Sequence, residues 1–186
     1  MRCLGIAIEA AQTALAMDAT DNWSHWVVGA MLLYQGQHDR ARAAYDRALE
    51  LNPNDADVLA QFAGFLNYVG KPEEAVETVE RAMRLNPHCP WWYLWMLDWA
   101  EQLAGHPERA VAVIERIGNP IAEARLISVM SLMILGREAE ARDEAAVVLR
   151  LKPDFTVRQF AAPQPYQDPS RMEALVETMR AAGIPD

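Results

Sequence analysis

A 34-residue period constrains this chain more than any other feature. Counting from Asn22 as position 1, Gly29 stands at position 8, Gly36 at 15, Ala41 at 20, Tyr45 at 24, Ala48 at 27 and Pro53 at 32. Counting again from Ala56, the same positions hold Ala63, Gly70, Ala75, Val79, Ala82 and Pro87. Further counts start at Trp91 (Gly105, Ala110, Ile114, Ile117) and at Ala122 (Gly136, Ala141, Ala145, Val148, Pro153), giving spacings of 34, 35 and 31 residues. A fixed period of this length means one supersecondary unit stacked on copies of itself. Small residues at positions 8, 20 and 27 let two helix backbones approach closely. The position-15 glycines suit the left-handed residue that ends a first helix. Pro72 and Pro107 suit the first turn of a second helix, with Glu73, Glu74 and Glu108 at its positive end. Pro53, Pro87 and Pro153 stop the second helices.

The pattern loosens in places. The third unit carries Asp98 at position 8 and Glu101 at position 11, and its short second helix is expected to stop at Gly118-Asn119-Pro120. The fourth carries Val129 at position 8. Ala7, Ala11 and Ala14 fit positions 20, 24 and 27, so residues 4–17 read as a second helix without its first. After 153 the composition changes. Residues 154–160 can form a short helix, two prolines keep 161–168 extended, and Asp168 caps a helix over 169–182 opened by Pro169. That helix covers the last hydrophobic face of the array.

These units resemble the tetratricopeptide repeat, a helix–turn–helix of 34 residues. The fold expected is all-α, a tetratricopeptide-repeat superhelix or α-α solenoid with a C-terminal capping helix. It divides into an N-terminal half-repeat helix (1–21), four helix pairs (22–153) and a capping tail (154–186). Two stretches, Asn86-Pro87-His88-Cys89-Pro90-Trp91-Trp92-Tyr93 and Gln164-Pro165-Tyr166-Gln167-Asp168-Pro169, are similar to a narrower group. They look like the C-terminal repeat regions of bacterial multidomain proteins that carry a class III adenylate/guanylate cyclase or a winged-helix regulator domain upstream. That resemblance implies a sensory or scaffolding region and transfers no catalytic residue.

In tetratricopeptide arrays, positions 2, 5, 9, 12 and 13 of the first helices line a concave face. The resemblance places Trp23, Trp26, Ala30, Leu33 and Tyr34 there, then Asp57, Ala60, Gly64, Asn67 and Tyr68. The third unit adds Trp92, Trp95, Trp99, Gln102 and Leu103, and the fourth Glu123, Leu126, Met130, Met133 and Ile134. Five of the six tryptophans fall on this face. Trp92, Trp95 and Trp99, spaced i, i+3, i+7, form one stripe. Tryptophan is enriched where partners dock, and a large apolar groove usually has an occupant. Trp23, Trp26, Tyr34, Asn67, Tyr68, Trp92, Trp95 and Trp99 are therefore the candidate peptide-binding residues. An aromatic stripe at this spacing is equally compatible with core, here filled by Phe160, Pro163 and Tyr166 of the tail. None of the twenty positions is Lys or Arg, so a clamp for a peptide's terminal carboxylate is not expected. With Asp57 and Glu123 present, a neutral or basic apolar segment fits better.

Other chemistry finds little support. Asp98 and Glu101, at i, i+3, are the nearest approach to a paired-carboxylate site, with Arg125 a possible mate, but they read as structural and the chain as not an enzyme. His25, His38, His88 and His106 lack metal-ligand spacing, the glycines build no phosphate loop, and no cofactor is expected. The net charge of -9 disfavours nucleic acid. Cys3 and Cys89 form no disulfide framework, no run approaches the ~18 apolar residues of a membrane span, and a cytoplasmic location is the reading. Glu73, Glu74, Glu77, Glu80, Arg81 and Arg84 make a solvated outer face. Rival functions are self-association as a homodimer through residues 4–17, a regulatory accessory role beside a cyclase or transcription regulator, and binding of a small molecule or lipid.

Overall fold

The computed structural model describes residues 2–118 and 120–186. Asn119, the middle of the predicted stop, lies outside them, as do the side chains of Arg2, Cys3, Leu4 and Ile8. Among the described residues there are eleven α-helices and no strand. They are α1 (Arg2–Met17), α2 (Asn22–Tyr34), α3 (His38–Leu51), α4 (Ala56–Tyr68), α5 (Pro72–Leu85), α6 (Trp91–Leu103), α7 (Pro107–Glu115), α8 (Ala122–Ile134), α9 (Glu138–Leu151), α10 (Val157–Ala161) and α11 (Pro169–Ala181). The four sequence repeats are the hairpins α2–α3, α4–α5, α6–α7 and α8–α9. The chain divides into two compact units, one up to His88 and one from Cys89.

The hairpin turn is the same each time, and its chemistry explains the position-15 glycines. Gly36, Gly70, Gly105 and Gly136 have φ of 72°, 76°, 82° and 70°, a left-handed conformation that costs glycine least. The residue after each returns a backbone hydrogen bond into the last turn: Gln37 to Leu32, Lys71 to Leu66, His106 to Glu101 and Arg137 to Leu132, all 2.9 Å. This closes the orphan carbonyls of the first helix. Pro72 and Pro107 then open α5 and α7, as expected.

In the first unit α1 packs on α2, each hairpin closes on itself, and α4 touches α2 and α3. Position 8 controls the closeness of the first hairpin. A Cβ on Gly29 would lie 2.9 Å from Tyr45 Cδ2 and 3.3 Å from the Ala41 carbonyl oxygen. Ala41, Ala48, Ala63, Ala75 and Ala82 are all fully buried at the other small positions. Tyr45, Phe62 and Phe65 cluster with ring centroids 5.2–5.8 Å apart. Burial there pushes the Tyr45 hydroxyl far above its ordinary pKa.

In the second unit α6 pairs with α7 and α8 with α9, while α8 also packs on α6 and α7. α7 has nine residues where α3, α5 and α9 have fourteen. Gly118, at φ 75°, marks the end of this segment, and Pro120 follows. The tail folds back: α10 packs on α11, and α11 packs on α8. Thr156 caps α10 and Asp168 caps α11. The Val157 N–H donates to the Pro185 carbonyl (2.8 Å). Hydrogen bonds from Arg180, with Arg158 nearby, hold the Asp186 carboxyl below the usual range. The predicted capping helix is thus present, and its C-terminal end is tied down.

Candidate functional site

Within the first unit, the aromatic first-helix residues form pairs. Trp23 and Trp26 meet edge to face with centroids 5.2 Å apart, as do Tyr34 and Tyr68 at 6.3 Å. Trp23 and Tyr34 remain 44% and 46% exposed, which is high for side chains of this size. Trp26 is half-buried and Tyr68 buried. Asn67 is completely buried, and neither atom of its amide has a hydrogen-bond partner. The structure therefore brings Trp23 to Trp26 and Tyr34 to Tyr68 but withdraws Asn67 from the surface.

One acidic residue orients this face. Asp55 caps α4 through Val58 N–H (3.0 Å). Its other oxygen accepts from Asn22 Nδ2 (2.9 Å) and from Trp23 Nε1 (3.1 Å). A single carboxylate thus starts one helix and holds the exposed indole of another. The cap was readable from Asp55 standing just before the apolar-periodic run; the link to Trp23, across one full repeat, was not.

Within the second unit the tryptophan stripe is more covered. Trp95 stacks on Trp91 (6.1 Å between centroids), and Trp92 meets Tyr93 edge to face at 4.4 Å. Trp99 is only 8% exposed. Its Nε1 donates to the Tyr166 hydroxyl at 3.1 Å, with the two rings T-shaped at 6.3 Å. Burial raises the Tyr166 hydroxyl pKa far above its ordinary value. Tyr166 of the predicted tail filling therefore touches the stripe, whereas Phe160 instead faces Phe155 (6.0 Å). Trp95 Nε1 and Gln102 Oε1 are buried without hydrogen-bond partners.

The two carboxylates of α6 behave differently. Glu101, 1% exposed, is bound by His106 Nδ1 at 2.9 Å and Arg109 at 2.8 Å. Arg125, the mate suggested by sequence, instead binds Glu144 (2.8 Å) and the Pro120 carbonyl (3.2 Å), because both lie within its own hairpin's reach. Asp98 is fully buried, and neither oxygen has a partner. Burial alone pushes its pKa well above the carboxylate range, so the neutral acid is the favoured form. Glu123 is paired with Lys152 and so presents less negative charge than the sequence suggests. Cys89 is a free, half-buried thiol. Among the described residues no three His, Cys, Asp or Glu side chains gather to hold a metal ion. No helix among them is long and apolar enough to cross a membrane.

A tetratricopeptide repeat family model matches residues 32–94. No curated protein matches the chain. YrrB, described as a tetratricopeptide repeat protein with an unusual peptide-binding site, is 23% identical, with 95% of this chain and 92% of that one covered and a TM-score of 0.60. PilW, a type IV pilus biogenesis factor, is 16% identical over 96% and 81% of the two chains, with a TM-score of 0.75. A thermophilic tetratricopeptide repeat protein of Thermus thermophilus is 21% identical over 87% and 89%, with a TM-score of 0.63. The fold is the all-helical tetratricopeptide-repeat solenoid class.

Proposed function

We propose that this chain is a non-enzymatic protein–protein interaction scaffold whose first-helix faces take an apolar peptide or partner helix. In the first unit the docking residues are Trp23, Trp26, Tyr34 and Tyr68, without the fully buried Asn67; in the second they are Trp92, Trp95 and Trp99. The observation that carries this reading is the exposure of Trp23 and Tyr34 while each is already steered by a neighbour, Asp55 and Tyr68 respectively. Rigid, pre-oriented aromatics lose little freedom on binding. YrrB's peptide-binding site adds support by analogy of fold. A neutral or basic ligand suits the net charge of -9. The test is a peptide selected against the full chain and titrated calorimetrically. Trp23→Ala with Tyr34→Ala should weaken it at least about tenfold, as hot-spot aromatics do, with the circular dichroism spectrum unchanged. Unchanged affinity would remove the first unit's face from the reading.

A second reading is favoured by Tyr166, which sits on Trp99. Here the tail fills the second unit's face, and the chain acts as a regulatory accessory region. Gln164–Pro169, part of the similarity to cyclase-type and winged-helix regulator proteins, is the segment that carries this contact. The exposed Ile6 and Met17 of α1 support self-association through residues 4–17; a mass that rises with concentration in light scattering would bear it out. A cytoplasmic location completes the proposal.

A further inference from the structure

The tail meets α6 as a ligand would. Pro163 and Pro165, two residues apart, exclude helix from the segment between α10 and α11. Seven residues, 162–168, separate the two helices. The extended run expected over 161–168 is not what forms: Ala161 ends α10, Ala162 and Pro163 turn, and Gln164 N–H donates to the Ala161 carbonyl (3.1 Å). The two fixed proline φ angles still lower the cost of ordering the segment. Tyr166 supplies the specific contact, its hydroxyl accepting from the Trp99 indole while the rings meet edge to face.

The fit is incomplete. Trp95 and Gln102 stand four residues before and three residues after Trp99, on the same face of α6. Trp95 Nε1 is a donor and Gln102 Oε1 an acceptor, both buried and both without partners. The tail satisfies the middle group of three and leaves the outer two. Trp95 to Gln102 spans about 10.5 Å of helix axis, roughly three residues of extended chain. An extended backbone carries both carbonyl acceptors and N–H donors along that length. The tail, bounded by helices at both ends, has no spare extended chain to follow it.

We propose that the segment around Pro165-Tyr166 is an internal stand-in for the second unit's true ligand. That ligand is an extended, uncharged peptide segment presenting a tyrosine just after a proline, and it binds by displacing the tail from Trp99. The inference rests on reading the first-helix faces as docking surfaces and names the ligand class for one of them. Tethering gives the tail an effective concentration in the millimolar range. A ligand in trans overcomes it by also engaging Trp95 and Gln102.

The test uses the full chain and a fluorescein-labelled peptide with the sequence of residues 161–167, which carries no charged side chain, followed by anisotropy. Wild type should bind it weakly. Tyr166→Ala, which empties the position in cis, should bind at least about tenfold more tightly. Adding Trp99→Phe, which keeps an aromatic ring and removes the N–H, should reverse most of that gain. The peptide with its tyrosine replaced by alanine should bind neither form. Tyr166→Phe, which removes only the hydroxyl, guards against a folding defect; it should bind about threefold more tightly than wild type. No binding to folded Tyr166→Ala and Tyr166→Phe, or binding that ignores Trp99→Phe, overturns the inference and makes the tail a structural cap alone. If the peptide fails while a selected ligand still depends on Trp23 and Tyr34, the docking reading survives and only this inference falls.

Discussion

The hairpins α4–α5 and α6–α7 follow one plan and differ at the position that sets how closely their helices pack. In α4 that position is Ala63; in α6 it is Asp98. Both are fully buried, and both hairpins keep a fully buried alanine, Ala75 or Ala110, at position 20 of the repeat. Ala63 brings nothing polar inside. Asp98 brings a carboxyl that finds no partner and is held in its neutral form. α5 runs fourteen residues, α7 nine. The third hairpin therefore tolerates a buried acid with a shorter second helix to cover it. One residue on, Trp99 carries the tail. Departures from a fold's local rules concentrate where a protein does its work, and this is the chain's clearest departure.

The comparison breaks most visibly if the two residues are exchanged. Ala63→Asp should cost about 4 kcal/mol or abolish folding, since it places an unpartnered acid at a fully buried position of the α4–α5 hairpin; urea denaturation reads the loss. Gly29→Val, at the equivalent position of the first hairpin, should cost about 3 kcal/mol, because the Tyr45 ring must move for the added carbons. A cost under about 0.5 kcal/mol would show that the first hairpin is looser than its contacts indicate.

Asp98→Asn should go the other way and stabilise the chain near neutral pH, read as a higher urea midpoint. The sign follows from the raised folded pKa. In the unfolded chain Asp98 titrates near about 3.9, and in the folded chain higher. Its contribution to stability is complete below about pH 4 and is lost as pH rises through the folded value. The advantage of Asp98→Asn over wild type should thus be near zero at about pH 4 and widen toward neutral pH. A constant advantage would mean that the Asp98 pKa does not change on folding, and a disadvantage that grows with pH would place a cation beside it.

Glu101→Gln tests the partnered acid of the same helix. It should cost about 1.5 kcal/mol through weakened bonds to Arg109 and His106, with the exposed Arg109 limiting the loss. Smallest is Tyr166→Phe, at about 0.5–1 kcal/mol, for one part-buried hydrogen bond to Trp99.

Much of this architecture could be read from residue spacing. The glycines at 36, 70, 105 and 136 sit at left-handed turns, and the small residues at 41, 48, 63, 75 and 82 are buried, because backbone sterics act locally and leave a periodic mark. Asp168 and Pro169 announced α11 for the same reason. Asp98 was visible as a departure, but its lack of a partner was not, since partners belong to three-dimensional packing. Glu101 went to His106 and Arg109, five and eight residues along the same hairpin, rather than to Arg125. That the turn brings α7 to α6 was legible; which side chains it delivers was not. The faces were harder still. Position numbers placed Asn67 and Trp99 with Trp23 and Tyr34, yet the first two are buried and the last two exposed. Exposure depends on what else packs there, and no single repeat encodes it.

Hydrogen–deuterium exchange of the full chain, with and without a peptide selected against it, tests most directly whether partners dock on the first helices. Docking there predicts added protection in 22–34, 56–68 or 91–103, and faster exchange in 161–168 when α6 is engaged. Protection confined to the second helices α3, α5 and α9, with the first helices and the tail unchanged, would contradict it.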